Sequence, residues 1–146
     1  MDETIQFKYN KGFGFITFFG LFALLIIFLI KTFQYQDVDA MKIVLCFDGG
    51  LFLFLIIVMV KFFIPVINRK IALEINKQGI IDNTRNQQID WKNVKSLSLV
   101  SFRNSAGIEI ELLNDNSPKL IRLQYIEGMN EETFNTINNY FKRVQS

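Results

Sequence analysis

The sequence predicts an α+β membrane protein: a two-helix transmembrane hairpin followed by a small antiparallel β-sheet or barrel capped by a C-terminal helix. Three observations predict it. Two long apolar runs fill most of the first 64 residues, period-two alternation takes over from Ile71, and one amphipathic helical pattern closes the chain. The boundaries that follow are a cytoplasmic N-terminal flank at 1–12, the hairpin at 13–65 and a β-rich soluble domain with its helix at 66–146.

Phe13 to Ile30, FGFITFFGLFALLIIFLI, runs eighteen residues without a charge. At a rise of about 1.5 Å per residue it covers roughly 27 Å, near the roughly 30 Å hydrocarbon core of a bilayer. The second run, Ile43 to Ile64, is interrupted only by Asp48 and Lys61, and Pro65 follows where a helix stops or kinks. A polar loop, Lys31 to Lys42, joins the two. Most of the 16 phenylalanines lie in this half. Val38-Asp39-Ala40 offers small residues for signal cleavage, but it lies well beyond the apolar run, so a retained anchor is the favoured reading. Lys8 and Lys11 before the first span, and Lys61, Arg69, Lys70 and Lys77 at the exit of the second, place both termini in the cytoplasm at the cell membrane.

Asp48 is the one acid within these runs. An ionisable residue inside a span is a functional candidate by default. The favoured reading has the helix core begin at Gly49, with Asp48 near the outer interface and Lys61 snorkelling at the opposite end.

In the second half, Ile71, Leu73 and Ile75 alternate with Ala72 and Glu74, Asn76 to Gly79 supplies turn chemistry, and Ile80-Ile81 resumes. Asp82 to Gln88 is polar and reads as a loop or the exposed edge of a short strand. Val94 to Phe102 alternates with Leu97 and Leu99 on the inward face; Arg103 to Gly107 and Asn114 to Pro118 read as turns around a strand with Ile108 and Ile110 on one side and Glu109 and Glu111 on the other. The result is a meander of roughly six strands. Glu131 and Glu132 suit the start of the last helix and Lys142 and Arg143 its end. Phe134, Ile137, Tyr140, Phe141 and Val144 form its apolar stripe, which packs on the sheet.

The segment ALEINKQGIIDNTRNQQIDWKNVKSLSL resembles the opening of bacterial pleckstrin-homology-like membrane proteins, in which a strand and a "GI-D" turn precede "I-W-dI" and two transmembrane helices often come first. The matching positions are Leu73, Gly79, Ile80, Asp82, Ile89, Trp91 and Val94. The resemblance implies a pleckstrin-homology-like domain over 66–146, with the tryptophan at a strand-to-strand junction. Packing against Ile89, Val94 and Leu97 is the favoured role for Trp91; an exposed recognition anchor or a place in the lipid interface are the alternatives. Such domains hold phosphoinositide head groups through basic residues around the first hairpin. Here only Lys77 lies in that turn and Arg85 in the next loop, a departure from that cluster.

Histidine is absent, which removes the commonest general acid–base and metal ligand, and Cys46 is the sole cysteine. Gly12-Phe13-Gly14 follows no strand and is no phosphate loop. No catalytic constellation, metal set or cofactor motif is readable, and a net charge of +2 speaks against nucleic acid. The expected function is a non-enzymatic, membrane-anchored interaction module that holds a protein partner at the cytoplasmic face. Its partners are the lipid bilayer and that protein, and a homo-oligomer stays open. Candidate binding or membrane-surface residues are Lys77, Arg85, Arg69, Lys70 and Trp91, with Asp48 as the intramembrane polar candidate. The alternative is a small immunity protein that binds a toxin through the hairpin; a transport role rests on Asp48 alone.

Overall fold

The computed structural model describes residues 4–34, 38–102, 105–115 and 117–145. The chain divides into two compact units, one built from residues up to Asn10 together with Arg69 onward, the other from Lys11 to Asn68.

The Lys11–Asn68 unit is an antiparallel pair of apolar helices. Helix α1 spans Lys11–Thr32 and α2 spans Val38–Val58. A π-helical turn, Met59–Phe63, and a last helical turn, α3 at Ile64–Ile67, continue α2 without a break. Both helices are long and apolar enough to cross a membrane. Leu25, Leu55 and Val58 are buried between them, whereas most other large side chains face outward. Near the first turns of α1 the helices touch closely: a Cβ on Gly14 would lie 2.7 Å from Val66 Cγ2. Phe18 stacks on Phe63 at 4.1 Å between centroids, and Phe13 meets Phe62 edge-on at 5.7 Å.

Two sequence expectations change here. The helix does not stop at Pro65 but passes through it to Ile67. Proline lacks an N–H and crowds the preceding turn, and the wider π turn directly before it, in which Ile64 N–H reaches Met59 O, makes room. The connection between the helices is also shorter than Lys31–Lys42. Thr32 still belongs to α1 and Val38 to α2, while Tyr35 to Asp37 of that loop lie outside the described residues.

Among the described residues the other unit has seven strands, against the roughly six expected. The additional one is β1, Ile5–Lys8, within the segment expected to be a flank. It pairs antiparallel with β2, Ile71–Ile75, matching Ile5 to Ile75, Gln6 to Glu74 and Phe7 to Leu73. Strand β3 (Gly79–Asp82) and β4 (Gln87–Asp90) complete a four-stranded sheet in the order β1-β2-β3-β4. Strand β5 (Val94–Phe102), β6 (Ser105–Leu112) and β7 (Lys119–Arg122) form a three-stranded sheet. Residues Ser105 to Gly107, read from the sequence as part of a turn, already belong to β6; Arg103 and Asn104 lie outside the described residues. Leu97 and Leu99 oppose the fully buried Ile110 and Ile108, as their alternation requires.

Helix α4, Asn130–Gln145, buries Ile137, Tyr140 and Phe141, while Val144 at its end stays exposed. Below it Leu73, Ile75, Ile80, Ile108, Ile110, Ile121 and Ile126 form the core. Tyr9 follows β1 into this core, pairs with Ile126 in an isolated bridge, and donates its hydroxyl to Asn83 O at 3.3 Å. Asn10 N–H donates to Tyr125 O at 2.9 Å and Glu127 N–H to Lys8 O at 2.8 Å, so the N-terminal segment is tied to the stretch that follows β7.

The apolar helices therefore occupy the connection between two paired strands, β1 and β2. A fragment of residues 66–146 lacks β1 and leaves the edges of Leu73 and Ile75 uncovered. It is expected to be digested by protease far faster than the same residues in the full chain; equal resistance would show that β1 contributes nothing.

Candidate functional site

The β2–β3 turn and the β4–β5 junction build one surface. Asn76 organises the turn: its Oδ1 accepts from Gln78 N–H at 2.9 Å and Gly79 N–H at 3.2 Å. Such local side-chain bonds are why asparagine suits turns. Its carbonyl accepts Trp91 Nε1–H at 2.8 Å, and Trp91 N–H donates to Gln78 O at 3.0 Å. Gly79 has no alternative at its position, because a Cβ there would lie 2.0 Å from Ile89 O on β4.

Trp91 begins a single 3₁₀ turn, Trp91–Asn93, that carries the chain from β4 to β5. It is 3% exposed and packs on Tyr140 and Phe141 of α4 with centroids 6.1 and 5.5 Å away. The indole thus has both an apolar bed and a satisfied N–H, which is how a buried tryptophan is stabilised. Its role here is to fasten α4 to the junction.

Beside it opens a groove of about 610 Å³. Lys77, Gln78 and Lys92 stand on the rim, Asp90 and Trp91 form one wall, and Leu113 and Val144 supply exposed apolar surface. Asp90 lies 3.9 Å from Lys92, an exposed ion pair that contributes little to stability. Gln145 Nε2 donates to Val94 O at 3.4 Å and closes one end. Across the junction a smaller hollow of about 320 Å³ is lined by Ile89, Asn93, Leu112 and Lys119 among others.

Of the sequence candidates, Lys77 and Trp91 meet at the groove. Arg85 is exposed in the β3–β4 turn, away from it. That turn is held by Asp82, which is fully buried; its Oδ1 accepts from Thr84 N–H at 2.9 Å and Thr84 Oγ1–H at 2.6 Å, and its Oδ2 from Gln87 Nε2 at 3.1 Å. Arg69 and Lys70 are exposed where α3 gives way to β2. Arg69 adopts φ 50°, a left-handed residue just past the helix end that turns the chain toward the strand. Lys8, also exposed, sits opposite Ile71, one residue from Lys70, and joins the two cations at that end of the sheet.

Asp48 lies in the interior of α2, which starts at Val38, and is 3% exposed. It faces Thr32 in the last turn of α1, at 2.9 Å between Thr32 Oγ1 and Asp48 Oδ2. Thr32, missed by sequence reading, is legible only once the two helices are laid antiparallel. The turn at Asn76 was read from the sequence, whereas its carbonyl's bond to the Trp91 indole, the burial of Asp82 and the place of Tyr9 in the core were not.

Among the described residues there is no group of three acidic, cysteine or histidine side chains able to hold a metal. No protein-family model, no curated protein and no solved structure matches the chain.

Two outcomes follow. Gly79→Ala forces β3 off β4 and is expected to cost about 2 kcal/mol or more, read by denaturant unfolding of the β unit; a loss below about 0.5 kcal/mol would contradict that contact. Burial first, and the Asp82 carboxylate second, hold the Tyr9 phenol above its ordinary value of 10.0. With the folded value above the unfolded one, the neutral phenol's full stability is present below pH 10 and lost as pH rises through the folded value. Tyr9→Phe should therefore lose less stability than wild type across that alkaline range; identical pH profiles would contradict it.

Proposed function

We propose that this chain is a non-enzymatic, membrane-anchored interaction module. Residues 13–65 cross the cell membrane twice, and the pleckstrin-homology-like β unit holds a protein partner at the cytoplasmic face. The observation that carries this reading is the groove beside Trp91: a rigid floor, an exposed apolar strip from Leu113 and Val144, and Lys77 and Lys92 on the rim. That combination suits an amphipathic segment with acidic residues, whose apolar side chains bury and whose charges meet the rim.

The two apolar helices support the anchoring. Lys8, Arg69 and Lys70 support the orientation, since cations gather on the cytoplasmic side of spans and gain about 1 kcal/mol each near anionic lipid. Attachment through both ends of the hairpin keeps the groove at high effective concentration near membrane proteins, so weak contacts suffice. The four-plus-three strand arrangement with a closing helix supports the pleckstrin-homology-like reading.

The test is in-cell cross-linking through a C-terminal tag on the full chain. Lys77→Glu with Lys92→Glu is expected to reduce the cross-linked partner at least tenfold while circular dichroism stays unchanged. Retention of the partner by this variant, together with its loss when the exposed face of α2 is altered, would transfer recognition to the helices and favour the toxin-binding alternative.

A further inference from the structure

Thr32 Oγ1 makes two short contacts, 2.9 Å to the carbonyl oxygen of Phe28 one turn earlier and 2.9 Å to Asp48 Oδ2 on the neighbouring helix. A threonine hydroxyl has one hydrogen and two lone pairs. The Phe28 carbonyl can only accept. An ionised carboxylate can also only accept, so the one hydroxyl hydrogen would have to be shared between two acceptors at 2.9 Å, leaving at least one contact poorly satisfied. The second carboxylate oxygen sharpens the conflict: Asp48 Oδ1 is buried and has no hydrogen-bond partner among the described residues. Neither nearby lysine compensates it; Lys42 pairs instead with Asp39 at 3.1 Å, and Lys31 is exposed.

We infer that Asp48 is held as a neutral carboxylic acid, its proton on Oδ2 and donated to Thr32 Oγ1, which in turn donates to Phe28 O. The hydrogen count then closes. Each short contact has one hydrogen, the hydroxyl uses its donor and one lone pair, and Oδ1 becomes the carbonyl oxygen of an uncharged acid. An unpaired neutral carbonyl is far less costly to bury than half of a carboxylate. Thr32 is fully buried, so water does not replace either partner.

Asp48 and Thr32 thus form a proton-binding site that links the two helices, independent of the groove and of any partner. The chain runs from acid to hydroxyl to backbone carbonyl, and carries no net charge through apolar surroundings. It also sets the pairing of the helices: Thr32 and Asp48 sit at one end of the contact, Gly14 and Val66 at the other. The substitution Asp48→Asn reproduces the arrangement, since an amide N–H donates to Thr32 as the acid does, whereas Asp48→Leu leaves the hydroxyl unmet.

Infrared difference spectroscopy on the full chain in phosphatidylcholine–phosphatidylglycerol nanodiscs tests this at neutral pH. Wild type is expected to show a protonated-carboxyl C=O band that is absent from Asp48→Asn and shifts to higher frequency in Thr32→Val, where the acceptor is gone. Should Asp48→Asn fail to fold, wild type labelled with carboxyl-¹³C aspartate and compared with Thr32→Val gives the same answer. Carboxylate bands alone in wild type, or a protonated band unchanged in both variants, would overturn the inference.

Discussion

Everything else in the molecule depends on the pairing of Ile5–Lys8 with Ile71–Ile75, strands whose matched residues Gln6 and Glu74 are 68 positions apart. The apolar helices are the contents of that separation. Closing an unstructured loop of this length costs on the order of 3–4 kcal/mol in chain entropy. A hairpin whose two arms lie antiparallel, with Gly14 against Val66 at its open end, keeps the chain ends that leave it close together. Formation of the helical unit therefore favours closure of the sheet. In return, β1 and the core residue Tyr9 give the β unit an edge that it cannot draw from its own continuous sequence.

The same constraint shapes the groove. Strand β1 covers one side of the four-stranded sheet, so β4 is its opposite edge, and the Trp91–Asn93 turn hands the chain to the second sheet there. Asn76, Gly79 and Trp91 lock this corner from three directions: a turn, a close backbone approach and an indole bonded to the turn. A recognition surface is most specific when its floor is fixed and its rim can adapt. Lys77 and Lys92, both exposed, stand on such a floor.

Much of this was legible in the sequence. The apolar runs announce α1 and α2, alternation announces β2, β3, β5, β6 and β7, and the spacing of Ile137, Tyr140 and Phe141 announces α4. Strand β1 was not, because Ile-Gln-Phe-Lys is too short for its alternation to stand out and its partner is far away in the chain. Pro65 reads as a stop or a kink; the helix passes through it to Ile67, and a π turn makes room for the ring. Arg69 reads as a cation, and its left-handed backbone is invisible in its letter. Asp48 was conspicuous but its meaning was not: Thr32 is an ordinary residue until the helices face each other. At the groove, Lys77 and Trp91 were named, whereas Lys92, Leu113 and Val144 come together only through folding.

The pairing of β1 with β2 is tested by disulfide formation between cysteines placed at Gln6 and Glu74 in full-length chain with Cys46→Ser. These residues oppose one another across β1 and β2, at the distance a bridge needs. Rapid, nearly complete bridging is expected under mild oxidation, with little or none when the second cysteine replaces Arg85. Failure of the 6–74 pair to bridge in a folded chain, or equal bridging by the control, would contradict the pairing of β1 with β2.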